Sequence, residues 1–318
     1  MGFLSKLRAK APDDGLILDK CLGDAEAARL RDEVDAGRTD AFRQALETTT
    51  DLERRDFLLL IVLSSITKRS NWIDQWAHER PTEALPRIAG GREFVDIAWE
   101  VRGAKTGDKV SQRQFDQFFV NLDLAWSRFE AAIAADPAEG STYALMIDCA
   151  KGLDLPIQDR VALYERAQET RPWQQIAHRS TVQALAAKWG GSSEMMLDFA
   201  RQASAGAPAG SGVHVVVPEA HIEAWIQADA TDAYWRAPGV RDEITEAAAR
   251  SIDQTVASRG PWDKRDRNAF AFCYWQMGEQ ERARREFELI GPIVAGPFMN
   301  WADPVGASRK ARQAVGTA

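Results

Sequence analysis

The chain has 318 residues, 45% apolar and 27% charged, with a formal net charge of −7. This is the composition of a folded globular protein, and its acidic balance excludes a general nucleic-acid binder. No apolar run approaches the roughly 18–20 residues of a membrane-spanning helix, and Cys21, Cys149 and Cys273 are too widely separated for a disulfide framework or a cysteine-only zinc motif.

Lys6, Arg8 and Lys10 mark a basic amino-terminal end. It lacks the apolar stretch of about 7–15 residues that a secretory signal needs. Lys6 stands where a myristoylation signal after Gly2 requires a hydroxyl. A cytoplasmic protein is expected. Asp13-Asp14 with Asp19 superficially resembles an aspartate-rich magnesium motif, but it falls in a Pro12–Gly15 turn rather than inside a long helix. Asp24 is a good N-cap for a helix from Ala25 to Ala36, with Ala27, Leu30 and Val34 on one stripe and Gly37 as its stop. Asp40 to Glu47 and Leu52 to Ile66 read as the next two helices.

Glu83 to Ala89 predicts a short helix ended by Gly90-Gly91, after which Phe94, Ile97, Ala98 and Val101 resume the helical spacing to Gly103. Ser111 to Ala135 is long and strongly periodic, through Phe115, Phe118, Leu122, Phe129 and Ile133. Helices then alternate with short loops at Pro137–Gly140, Pro156, Arg171-Pro172 and Gly190-Gly191. Ala205 to Gly212 reads as a loop or boundary. Val213 and Val215–Val217 are the one β-branched run, fitting a short strand or an extended lead into a helix with Pro218 in its first turn. Further helices are expected at Glu219–Ala228, Arg241–Ser258 and Asp263–Ile290, followed by an irregular but packed Gly291–Trp301. Arg309-Lys310-Ala311-Arg312 reads as a short solvated tail.

Without a set of alternating strands, an all-α array is the natural solution. Its most specific feature is a period. Phe129, Tyr164 and Phe199 are spaced by 35 residues, as are Ala132 and Ala167, and Pro137 and Pro172; Pro208 falls one residue late. A unit of about 34 residues is typical of tetratricopeptide helix–turn–helix repeats. Phe270-Ala271, Tyr274, Gly278, Ala283 and Phe287 follow the same order of large, small, aromatic, turn and small residues. The expected fold is therefore an all-α, helical-hairpin (tetratricopeptide-like) solenoid with irregular insertions. Its regions are an N-terminal extension (1–23), an N-terminal helical region (24–110), a helix-pair repeat region (111–210), a C-terminal helical region (211–305) and a basic tail (306–318).

Ala98-Trp99-Glu100-Val101-Arg102-Gly103, Ala150-Lys151-Gly152-Leu153, Lys188-Trp189-Gly190-Gly191-Ser192 and Phe199-Ala200-Arg201 occur in this order. Together they resemble a family of uncharacterised helical bacterial proteins, common in actinobacteria and known as a domain of unknown function. The resemblance covers about Trp72 to Ala228. It implies a helical fold and no particular activity.

No motif names a reaction, and the phosphate-loop pattern is absent. Trp189 and Ser192 frame a helix–helix turn in which Ser192 caps the next helix, an arrangement that also offers free amides to an anion. His214, Glu219, His221 and Glu223 form the densest ligand-like cluster. His221-Ile222-Glu223 has the His-x-Glu order of zinc deaminases, but their Pro-Cys-x-x-Cys partner is missing, so surface carboxylates around one hydrogen-bonded histidine are expected and no metal. Gln174, His178 and Arg179 sit on the first helix of a pair and are expected to face a groove, with Thr142 or Asp148 one repeat earlier. Cys149, packed among Tyr143, Leu145 and Met146, reads as a buried inert thiol. Of the eleven tryptophans, Trp173 and Trp235 follow loop signals and read as exposed anchors; Trp225 lies on the His221 helix.

The leading expectation is a protein or peptide partner bound on the concave face, with no cofactor, no nucleic acid and no membrane span. A structural or immunity-type partner of a neighbouring gene product has the same sequence signature. The alternative is an enzyme or small-ligand binder with a pocket between the Trp189–Ser192 turn and the His221–Trp225 helix, bringing together two or more of His178, His221, Glu223 and Ser192.

Overall fold

The structure is a computed structural model and describes residues 15–66, 71–103, 110–254 and 260–317. The start of the chain, with Gly2 and Asp13-Asp14, lies outside the described residues. Regular structure is almost entirely helical. The amino-terminal helices are α1 (Ala25–Asp35), α2 (Asp40–Thr48), α3 (Leu52–Ser65) and α4 (Trp72–Glu79). Five hairpins follow: α5 (Leu85–Arg102) with α6 (Gln112–Ala135), α7 (Gly140–Gly152) with α8 (Ile157–Thr170), α9 (Gln175–Ala184) with α10 (Ser193–Gly206), α11 (Val216–Gln227) with α12 (Val240–Arg250), and α13 (Asp263–Gln276) with α14 (Gln280–Ile290). A last helix, α15 (Pro304–Ala314), packs on α13 and α14.

Local chemistry sets many of these starts. Asp24 accepts the Ala27 amide at 2.8 Å, Asp51 those of Glu53 and Arg54, and Ser111 forms a reciprocal capping box with Gln114. Each satisfies amides that have no partner inside the helix.

Packing then arranges the hairpins. The first helices form a continuous layer, α5 on α7, α7 on α9, α9 on α11 and α11 on α13. The periodic aromatics sit on the second helices. Phe129 and the alanines Ala132 and Ala167 are fully buried, and the Tyr164 and Phe199 rings meet edge-on at 4.9 Å. Helix α3 crosses the start of this layer. Its Asp56 carboxylate accepts from Ser141 Oγ of α7 at 2.6 Å and from Gln174 Nε2, just before α9, at 2.8 Å. Its Phe57 ring lies 4.9 Å from Trp262, just before α13.

Several expectations are corrected. Gly90-Gly91 does not end a helix: α5 runs through both. The reason is tertiary, because the Phe129 ring of α6 lies where a Gly91 side chain would be, so glycine there permits close approach rather than a turn. Val213–Val217 is no strand; Gly212–Val215 is a 3-10 turn leading into α11, with Pro218 in the first turn. Helix α10 extends into the expected loop as far as Gly206, and α12 stops at Arg250, eight residues short of Ser258.

The ends are also less free than the sequence suggests. Ile17–Leu18 (β1) pairs in parallel with Ile293–Val294 (β2), so residues 15–23 close the fold against its far end instead of extending from it. Arg309–Arg312 is part of α15, not a solvated tail. Ser308, Ala311 and Val315 make its buried stripe, and the Arg312 guanidinium lies 4.7 Å over the Phe287 ring.

The glycine pair gives a paired test. Gly91→Ala places a methyl group within contact distance of three Phe129 ring atoms in a filled core, and a loss of about 1–3 kcal/mol in urea unfolding is expected. Gly90→Ala meets only ordinary contacts, the nearest being Ile73 Cγ2 at 3.4 Å, and is expected to be neutral or to stabilise by up to about 1 kcal/mol through helix propensity. Equal effects at both positions contradict the close approach.

Candidate functional site

Helix α9 carries Ile176, Arg179, Ser180 and Gln183 at i, i+3, i+4 and i+7, one face of the helix. This face floors a cleft of three connected hollows. The first, about 540 Å³, lies between Asp19 and Lys20 after β1, Ile61 and Ser64 of α3, Glu219 and Glu223 of α11, and the stretch 294–300. The second, about 280 Å³, lies beneath α3 and reaches Arg92, Asp148 and Trp262. Arg179, Gln183 and Arg265 line both. The third, about 370 Å³, continues through Arg92, Asp148 and Gln183 to Trp99, Lys151 and Trp189.

The charges in the cleft are mostly paired. Lys151 Nζ lies 2.9 Å from Asp148 Oδ1, and Ser180 Oγ donates to Asp148 Oδ2 at 3.0 Å. Burial works to raise the Asp148 pKa, but the Lys151 charge and these hydrogen bonds outweigh it and hold the carboxyl below its usual value. Arg92 pairs with Asp96 at 2.6 Å and Lys188 with Glu223 at 2.7 Å. Arg179 bridges Glu219 and Asp266. Asp266, whose two carboxylate oxygens also accept from Gln175 Nε2 (3.0 and 2.8 Å), is pushed up to about 7 by burial, against the pull of Arg179. Arg265 is the exception. No described residue hydrogen-bonds to its guanidinium or forms an ion pair with it, and its Nε is buried without a partner. Burial and the neighbouring Arg179 charge lower its pKa to about 10.

The Trp189 turn is built as its sequence suggests. Gly190 has φ +84°, a left-handed conformation that favours glycine, and Ser192 Oγ accepts the Met195 amide at 3.0 Å to start α10. Trp189 packs edge-on against Trp99 at 5.5 Å. Arg160 fixes the turn by donating to the Ala184 and Trp189 carbonyls at 3.0 and 2.7 Å.

Among the nine residues singled out from sequence, Arg179, Trp189 and Glu223 line the cleft. Trp173, Gln174, His178, Ser192, His221 and Trp225 do not. Gln174 points to Asp56. His178 is fully buried: Nδ1 donates to the Gln174 carbonyl at 2.8 Å, which leaves Nε2 to accept from Tyr164 Oη at 3.0 Å. Trp173 stacks on this imidazole, half-buried rather than presented to a partner. His221 is also buried, between Tyr234 Oη at 2.8 Å and Glu243 Oε2 at 3.0 Å. Trp225 packs among Trp235, Phe272 and Trp301, and Trp235, expected to be exposed, is buried with it. Ser192 is engaged as a cap. The pocket of the alternative reading therefore holds Glu223 but neither histidine nor Ser192. Thr142 is buried inside α7, whereas Asp148 does line the cleft.

The cleft residues missed from sequence are Gln183, Lys188, Arg92, Lys151 and, above all, Arg265. Extending the α9 face by whole turns from Arg179 finds Gln183. Arg265 sits in Asp263-Lys264-Arg265-Asp266-Arg267, which reads as a solvated charged face. Among the described residues no group of three or more His, Cys, Asp or Glu side chains is placed to hold a metal ion, and no helix is long and apolar enough to cross a membrane. Cys149 is buried, and burial pushes its thiol up to about 12. No protein-family model, curated protein or solved structure matches the chain.

The buried imidazole makes a pH prediction. Burial lowers the His178 pKa from 6.5 to about 4, so in this interval the unfolded chain binds a proton that the folded chain does not. The stability this neutral ring contributes is complete above pH 6.5 and is lost as pH falls through 4. Its full size is about 3 kcal/mol. Relative to wild type, His178→Gln is expected to be less stable at pH 7, with the gap narrowing by about that amount by pH 4 in urea unfolding. A gap independent of pH contradicts the buried neutral imidazole.

Proposed function

We propose that this is a cytoplasmic helical-hairpin repeat protein that binds a peptide or a segment of a partner protein along the cleft floored by α9. The observation that carries this reading is the run of three hollows over one helix face, from Asn300 at one end to Trp99 and Trp189 at the other. A run of this kind suits an extended chain better than a compact metabolite. Ion-paired Lys151, Lys188 and Arg179 hold donors and acceptors in fixed places along it, while Ile61, Ile222 and Pro297 supply apolar contact. Fixed polar groups between apolar walls are what a selective peptide groove requires. The stacked first helices and the 35-residue period of aromatics support a solenoid-like origin for the groove.

One observation favours the second reading, a small-ligand binder. Helix α3 crosses the layer and narrows the middle hollow to about 280 Å³, a size that suits part of a small molecule.

Selection of peptides from a random display library on the purified protein tests the first reading. Enriched peptides are expected to bind wild type with micromolar affinity and to bind Gln183→Trp, which fills the floor, at least about tenfold more weakly, a loss of about 1.4 kcal/mol. Leu124→Trp, on the exposed side of α6, is expected to leave binding unchanged. Peptides that bind Gln183→Trp as well as wild type place the binding surface elsewhere.

A further inference from the structure

The narrow junction of the first two hollows contains two guanidinium groups. Arg179 and Arg265 both line it, and both approach the Trp262 ring, with Cζ atoms at 5.8 and 5.9 Å from its centroid. Arg179 is neutralised by Glu219 and Asp266. Arg265 makes no ion pair or side-chain hydrogen bond with a described residue, and the charges of Glu219, Asp266 and Asp148 act on it only from a distance. The carboxylates nearest to it are already engaged: Glu219 and Asp266 by Arg179, Asp266 also by Gln175, and Asp148 by Lys151 and Ser180.

An arginine carries five N–H donors in a rigid fork, and leaving a buried donor unpaired carries a free-energy cost, larger for a charged group. The like charge of Arg179 alongside adds to this cost, and the carboxylates of Glu219, Asp266 and Asp148 offset it only from a distance. Trp262 offers its ring face to the two cations, and its own Nε1 is buried without a partner on the same hollow. The buried side-chain atoms left unpartnered at this point, Arg179 Nε, Arg265 Nε and Trp262 Nε1, are all donors.

We infer that Arg265, supported by Arg179 and the Trp262 indole, is the anchor for one oxyanion carried by the ligand, a carboxylate or a phosphoryl group. The fork geometry of Arg265 suits two parallel bonds to such a group. The inference rests on the cleft being the binding site proposed above and names the chemistry its ligand must present. A peptide would supply the group as an acidic side chain, a terminal carboxylate or a phosphorylated residue; a small ligand would supply it directly.

The test is the melting temperature of the full chain in sodium phosphate, sodium acetate or sodium chloride at matched ionic strength. Phosphate or acetate is expected to raise the wild-type value by about 2–4 °C above chloride at tenfold excess over Kd. A response to acetate assigns a carboxylate; a response to phosphate alone assigns a phosphoryl group. Arg265→Gln is expected to lose the response and, in chloride, to melt at or above the wild-type temperature because it removes an unpaired charge. Should that variant fail to fold, Arg265→Lys, which keeps the charge without the fork, is expected to weaken the response about tenfold. No anion response in wild type, an undiminished response in either variant, or an Arg265→Gln protein that folds but melts several degrees lower in chloride overturns the inference. Library peptides that bind Arg265→Gln as tightly as wild type, while losing affinity for Gln183→Trp, overturn the anchor and leave the cleft reading standing.

Discussion

The placement of α3 depends on one buried carboxylate. Asp56 accepts from Ser141 Oγ at 2.6 Å, Arg171 Nη1 at 2.7 Å and Gln174 Nε2 at 2.8 Å, three donors from residues at or near the starts and ends of α7, α8 and α9. Glu53 adds a bond from Arg171 at 3.0 Å and one from the Gln175 amide at 3.2 Å, and Arg55 reaches Glu139 at 2.6 Å. Burial alone raises the Asp56 pKa, with the Arg171 charge pulling the other way. A charge so enclosed is tolerable only while its partners stay in place; breaking such a pair by removing one member costs about 3–5 kcal/mol. The network therefore fixes one angle of crossing between α3 and the hairpin layer, and with it one wall of the cleft.

A second buried network ties the opposite wall. Arg179 of α9 joins Glu219 of α11 and Asp266 of α13, and Gln175 of α9 closes the set on Asp266. The three helices that shape the centre of the cleft are thus connected by the same side chains that line it. Structure and site share atoms here. That sharing explains why Arg265 stands out: its carboxylate neighbours are hydrogen-bonded to the side chains that hold the helices together, and its own guanidinium is left with the Trp262 ring and no ion pair among the described residues.

The closure of the ends follows similar logic. Two residues after the start of the described chain pair with β2, and Asp19 then turns the backbone by accepting the Cys21 and Gly23 amides at 2.8 Å each. This brings Lys20 and Leu22 to the rim of the first hollow beside Ala295 and Gly296. Segments that are far apart in sequence thereby form one edge of the same cavity.

How much of this was legible in the sequence differs by residue. The caps at Asp24 and Ser192 and the left-handed Gly190 follow from side-chain chemistry acting over three or four residues, and Cys149 was readable as an inert thiol from its apolar neighbours. His178 and Gln174 were misplaced for a definite reason. Gln174 is the N-cap residue of the helix that carries His178 and Arg179, but 100° per residue puts Arg179 on the cleft face and turns His178, with Gln174 four residues before it, toward Asp56, Tyr164 and Phe199. Gly91 was read as a stop because glycine's commonest local use is a turn, while its actual use depends on a ring 38 residues away. By itself, then, the sequence determined that the chain forms amphipathic helices joined in hairpins, since periodicity, caps and breakers act locally. Which faces were left for a ligand, and that Arg265 lines the cleft without an ion pair among the described residues, only the tertiary structure decided, because ion pairing and burial depend on distances between helices that no local pattern encodes.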